Sequence, residues 1–170
     1  ALAWRDLPVP VIAAVEGHCL GAGLQLALAA DYCITTPESH WAIREAHWGI
    51  VPDMGISVSA RGRIRSDILA DLTYSARLFD GQTALAHGFA ARLDAAPPNA
   101  ALALAEEWAE HSPDALLGSK RIVNTLYGCE WLALMREKIW QLKLLAGKNQ
   151  PLAVRKDSKP ETEFKPRQYR

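Results

Sequence analysis

The run Gly17-His18-Cys19-Leu20-Gly21-Ala22-Gly23-Leu24-Gln25-Leu26-Ala27-Leu28-Ala29-Ala30-Asp31 leaves this chain few choices of fold. It follows a short apolar stretch, Pro10 to Val15, and its glycines give way at Leu24 to helix formers. The pattern reads as strand, tight turn and buried helix, with the helix starting near Ala22. That helix is apolar all round except at Gln25, which suits a core element. The first turn of a helix carries N–H groups without internal partners at the positive end of its dipole. Gly21 and Gly23, lacking side chains, leave that turn open to close approach. Two readings follow: an anion hole built into the core, or a glycine turn that merely lets a buried helix pack.

At 170 residues, 49% of them apolar, the chain is long enough for one core of ordinary size. Nineteen basic residues balance nineteen acidic ones, so no charge excess steers it toward nucleic acid or an anionic membrane. No apolar stretch approaches the roughly 20 residues that span a bilayer. Cys19, Cys33 and Cys129 are odd in number and lack CxxC spacing, so they read as reduced core thiols, which favours the cytoplasm. The chain opens at Ala1 without a methionine and enters Leu7-Pro8-Val9-Pro10 almost at once, which points to further residues upstream.

Along the chain, residues 1–6 read as the end of a helix, 11–15 and 32–36 as strands, and 41–43 as a third, short strand. Residues 44–55 read as a loop punctuated by Gly and Pro. Helices are expected near 56–64 and 67–75, the second capped by Ser66, then over a short stretch opened by Asp80 and closed by Gly88, with extended chain from Phe89 to Leu93. After Pro97-Pro98 three helical patterns follow, 99–111, 113–127 and 130–146. The tail from Lys148 loses periodicity and reads as a short helix over 149–156 and an extended arm. No repeat of fixed period shows.

Glu45 and Asp53 flank the loop after the third strand, each beside apolar residues that would desolvate a carboxyl and fit it for proton transfer. A solvated loop carboxylate is the plain alternative for Glu45. For Asp53 it is an N-cap on the next helix. The five histidines have no metal-ligand spacing and pair with no nucleophile, and no metal site is expected.

Taken jointly, Ile12-Ala13-Ala14-Val15-Glu16-Gly17, Gly21 to Ala27, Ala30-Asp31, Trp41 to Gly55 and Ala84 to Ala90 resemble the central signature of the enoyl-CoA hydratase/isomerase (crotonase) superfamily. The resemblance implies an α/β fold of the ClpP/crotonase kind. A stacked ββα superhelix would fill residues 1–97, trimerising helices 98–147, and a basic arm 148–170. It implies an acyl-CoA or enoyl-CoA thioester as substrate, no separate cofactor, no nucleic-acid or membrane partner, and a homotrimer or dimer of trimers. The Ala22 N–H would be one donor of an oxyanion hole, its fellow lying in an upstream segment this sequence lacks. Gly21, Gly23, Leu20 and Trp48 would contact substrate, and Glu45 would be the acid/base for hydration or double-bond isomerisation.

Classical hydratases of this family pair two glutamates, and here the helix position is Gln25, whose amide can hold water but takes no proton. Asp53 falls eight residues after Glu45, as in the family's thioester-hydrolase branch, and is a candidate secondary acid or water-positioner. Thioester hydrolysis by Glu45 and Asp53, or non-catalytic acyl-CoA carriage, are therefore the alternatives. Lys156, Lys159, Lys165, Arg167 and Arg170 are either partners for the CoA phosphates or a solvated basic tail.

Overall fold

Proline at positions 8 and 10 holds the entering chain extended, and the backbone then runs straight into a strand. A computed structural model describes residues 2–169, except the side chains at positions 130, 132–134, 136 and 157. The described chain forms two compact units. One comprises the residues up to Leu7 together with Val11–Leu104, the other Pro8–Pro10 together with the chain from Ala105 onward.

After a single helical turn, α1 (Ala3–Asp6), the first unit is built by a repeating path. Strand β1 (Ile12–Val15) turns at Gly17 into β2 (His18–Leu20), and helix α2 (Ala22–Leu28) returns to the start. Strands β3 (Tyr32–Thr35) and β4 (His40–Ala42) then repeat the course. β1 pairs in parallel with β3, Ile12 opposite Tyr32 and Val15 opposite Thr35, while β2 pairs in parallel with β4, His18 opposite His40. Each turn of chain thus lays one strand on each of two sheets and advances about 20 residues, as the Thr35 hydroxyl bonded to the Val15 carbonyl marks. Two short strands complete the sheets, β5 (Phe79–Asp80) antiparallel to β4 and β6 (Arg92–Leu93) parallel to β3. The three-residue run at 18–20, expected to be turn, is therefore a strand, because β4 supplies its partners.

The core of this unit gathers Leu24, Leu28, Cys33, Trp41, Ile43, Phe79 and Phe89, and the indole N–H of Trp41 is satisfied by Ser39 Oγ at 2.8 Å. Burial pushes the Cys19 thiol up to about 12 and that of Cys33 to about 11, so both stay protonated and inert. Cys129, expected in the core, is exposed: it precedes a helix whose outer face is open.

Of the remaining helices of this unit, the first is shorter than its sequence pattern. The helical run expected over 56–64 stops at Ser59 (α3, Ile56–Ser59), and the chain turns at Gly62 before α4 (Ser66–Ser75). Gly55 and Arg65 occupy the N-cap positions of these helices without side-chain caps, so neither Asp53 nor Ser66 serves as one. Asp80 does cap α5 (Gly81–Ala86), accepting from the Thr83 N–H at 2.7 Å. Arg63 reaches across to cap the other end of α2, donating to the carbonyls of Leu28 at 2.8 Å and Ala30 at 3.3 Å. Helix α6 (Pro97–Ala109) opens on its two prolines, which lose nothing at a first helical turn.

In the second unit, Ser112 caps α7 (Pro113–Val123), as its place before Pro113 suggests. Gly118 admits the Trp140 ring of α8 (Glu130–Leu145): a Cβ there would lie 3.0 Å from it. Helix α9 (Asn149–Ser158) and the extended tail follow. The tail is held, not free. Asp114, 1% exposed, accepts from Asn149 Nδ2 at 2.8 Å and from the backbone N–H groups of Gln168 and Tyr169 at 2.9 and 3.2 Å. Asn149 Oδ1 accepts from the Lys165 N–H at 2.8 Å, Arg167 donates to the Pro8 carbonyl, and Lys156 pairs with Glu110 at 2.7 Å. Arg170 lies outside the described residues.

Candidate active site

The turn that feeds α2 is dictated by Gly21. Its φ of +51° and ψ of −118° suit glycine alone, and its N–H is spent on the Ala42 carbonyl at 2.9 Å, which ties the turn to β4. Ala22, next in line, is the first residue of α2, so its N–H has no acceptor within the helix. Ala22 and Gly23 are exposed, and a Cβ on Gly23 would meet nothing within 4 Å. Leu20 ends β2 half-buried just before this turn.

On the next turn of the superhelix, β4 ends at Ala42 and the chain closes into a 3-10 turn, Glu45–Trp48. Glu45 opens it and folds inward, 7% exposed, while Ala46, His47 and Trp48 face outward. The Glu45 carboxylate lies against the Gly21 turn: a Cβ on Gly21 would stand 3.6 Å from Oε1 and 3.9 Å from Oε2. The carboxylate thus sits within van der Waals reach of the turn that starts α2, and it is the backbone angle of Gly21 that calls for glycine there.

One helical turn into α2, Gln25 is 1% exposed and engaged at both ends. Its Nε2 donates to Glu45 Oε1 at 2.6 Å, and its Oε1 accepts from the Met54 backbone N–H at 2.8 Å. Glu45 Oε2 is buried and has no hydrogen-bond partner among the described residues. Leaving a buried carboxylate oxygen unsatisfied is costly, and such a group survives where the site has use for it.

Of the residues singled out from sequence, Gly21, Ala22, Gln25 and Glu45 are brought together. Gly23 and Leu20 border them in the chain. Trp48 is 72% exposed at the far end of the 3-10 turn, edge-on to His47 with ring centroids 4.8 Å apart. Asp53 is exposed, so the expected desolvation does not hold for it, and it makes no hydrogen bond to Glu45 or Gln25. What sequence reasoning missed is the Met54 N–H, because a backbone donor leaves no mark in the sequence. Among the described residues no cluster of three or more His, Cys, Asp or Glu side chains is placed to hold a metal ion.

This arrangement, a buried carboxylate facing a glycine turn at a helix start on stacked ββα coils, agrees with the relationships of the chain. Residues 2–138 match the family model described as Enoyl-CoA hydratase/isomerase, and the chain belongs to that family. It is 37% identical over 119 residues to carnitinyl-CoA dehydratase of Proteus mirabilis, covering 69% of this chain and 46% of that one. It is 36% identical over 124 residues to the mitochondrial Delta(3,5)-Delta(2,4)-dienoyl-CoA isomerase of Mus musculus, covering 71% and 37%. A probable enoyl-CoA hydratase/isomerase from Mycobacterium abscessus superposes with a TM-score of 0.85 at 28% identity, over 92% of this chain and 65% of that one. An enoyl-CoA hydratase from Polaromonas sp. JS666 does so with 0.85 at 26%, over 99% and 65%. The fold is the α/β crotonase fold of these neighbours. The chain spans less than half the length of the curated relatives it matches.

Proposed function

We propose that the protein containing this chain moves a double bond in an enoyl thioester of coenzyme A, with Glu45 as its single proton-transfer group. The observation that carries this reading is the Glu45 carboxylate, one oxygen held by Gln25 and the other buried and unpartnered beside the start of α2. In the proposed step Glu45 Oε2 takes a proton from C2 of a 3-enoyl thioester, and the C–H electron pair becomes the C1–C2 double bond of an enolate, with the charge on the thioester oxygen and the C3–C4 double bond in conjugation. The protonated Glu45 then returns the proton at C4, leaving the 2-enoyl thioester. No other reactant is consumed. The Ala22 N–H is the proposed donor to the oxygen that gains charge, a contribution of roughly 3–4 kcal/mol for a preorganised donor. Gly23 and Leu20 leave room for the thioester, and Trp48 borders the acyl group.

Isomerisation is favoured over hydration because Gln25 has no proton to exchange and its carbonyl oxygen already takes the Met54 N–H. Supplying the whole protein with a 3-enoyl-CoA and with crotonyl-CoA tests this: isomerisation of the first should exceed hydration of the second by at least about tenfold. Faster hydration would reverse the assignment, and binding without turnover of either would leave a carrier. We place the activity in the cytoplasm, which the unpaired thiols of Cys19, Cys33 and Cys129 support.

We further propose assembly as a homotrimer or dimer of trimers. Helix α8 turns Trp140 inward onto Gly118, while Trp131, Met135, Ile139, Leu142 and Leu145 form an exposed stripe on its opposite side. An apolar stripe of that length in water favours association. Light scattering on the whole protein at micromolar concentration is expected to give three or six times the chain mass, and a monomer would contradict it.

A further inference from the structure

Three groups from separate stretches of chain meet in a row: the Glu45 carboxylate, the Gln25 amide and the Met54 backbone N–H. Their donor and acceptor characters leave only one arrangement. The Met54 N–H can only donate, so the amide oxygen must face it, and the amide NH2 is then turned onto a carboxylate that can only accept. Met54 thus sets the direction of the Gln25 amide, and the amide sets which oxygen of Glu45 is held. The held oxygen is Oε1, at 2.6 Å, and the unpartnered one is Oε2.

We propose that Gln25 is a positioning residue that locks the Glu45 carboxyl against rotation, with the Met54 N–H as the clamp on its far side, so that Oε2 alone meets substrate. This rests on the reading of Glu45 as the proton-transfer group. A carboxyl free to turn about its last bond would present either oxygen in a range of directions, whereas proton transfer needs one oxygen in line with the C–H bond, and a misplacement of about 1 Å can lose about a hundredfold in rate. The clamp also joins the loop to the chemistry. Met54 follows the exposed Ile50 and Val51, and a shift of that loop that parts Met54 from Gln25 frees the amide and with it Glu45. A glutamate at position 25 could not do the same work, since two ionised carboxylates at this separation repel and would have to share one proton.

The test is a double-mutant cycle on the whole protein, followed with a 3-enoyl-CoA. Gln25→Met keeps the length and most of the volume of the side chain but makes neither hydrogen bond. Gln25→Asn keeps an amide one methylene shorter, too short to span both partners. Gln25→Met is expected to lower kcat by about tenfold to a hundredfold with KM changed less than about threefold. Gln25→Asn should show a smaller loss of the same kind. In a Glu45→Gln background Gln25→Met should lower the residual kcat no further, because a residue that acts through Glu45 has nothing left to act on. Unchanged kcat in a folded Gln25→Met or Gln25→Asn protein overturns the proposal, and so does an equal loss in both backgrounds, which would mark a structural role. Full turnover by Glu45→Gln alone overturns the parent reading along with it, whereas a dead Glu45→Gln beside an active Gln25→Met overturns the positioning role only.

Discussion

Glu45→Gln is expected to lower turnover at least about a hundredfold while changing thioester affinity by no more than a few-fold. General acid–base catalysis contributes about 10²–10⁴ in rate, some 3–5 kcal/mol at the barrier, and a glutamine cannot carry the proton. The replacement has the same shape, and its amide oxygen can still accept from Gln25 Nε2, so the pocket keeps its form. Removing a carboxylate with an unsatisfied buried oxygen also relieves a standing desolvation cost. The variant should therefore melt no lower than the parent. Turnover by steady-state assay and a melting curve on the same preparation check both halves. A Glu45→Gln protein that binds and turns over normally would sink the assignment, and one that collapses would show Glu45 to be structural.

The second large effect is expected at Gly88, where a methyl group has nowhere to go. Gly88 closes α5 at φ +82°, a conformation that costs a residue with a Cβ roughly 1–3 kcal/mol. A Cβ there would also run into the Arg63 carbonyl oxygen. Arg63 cannot retreat freely, because its guanidinium holds the Leu28 and Ala30 carbonyls at the end of α2. Gly88→Ala should therefore lower stability by about 3 kcal/mol or more, read as a fall in the denaturant midpoint at fixed protein concentration. A midpoint within experimental scatter of the parent would show that this junction yields.

Much of this could be read before any coordinates, where a residue type carries its own local instruction. Asp80 announces helix α5 because a short polar side chain before a helical run satisfies its orphan N–H groups. Gly21 announces a turn no other residue would make, and the family resemblance placed Glu45 and Ala22 in one site. What stayed hidden depends on pairing at a distance. His18-Cys19-Leu20 is too short to declare itself a strand and becomes one through β4. The ββα repeat left no periodic pattern because backbone hydrogen bonds, not matching side chains, hold successive coils together. The tail, poor in apolar residues, read as an arm without anchorage, and it is held by buried polar groups far off in sequence, Asp114 accepting two of its N–H groups and Asn149 a third. Asp53 misled because its apolar neighbours in sequence, Val51 and Met54, do not enclose it in space.

Gln25 and Glu45 stand 20 positions apart, the same step that carries Val15 to Thr35 in the strand pairing. The chemistry is thereby written as a distance along the chain as much as a choice of residues. One residue gained or lost in the corner between Thr36 and His40 would slip β4 on β2, turn every side chain of β4 to the opposite face, and carry Glu45 out of reach of Gln25. Lengthening the chain beyond these two places leaves that spacing intact, whereas altering the count of residues between them does not.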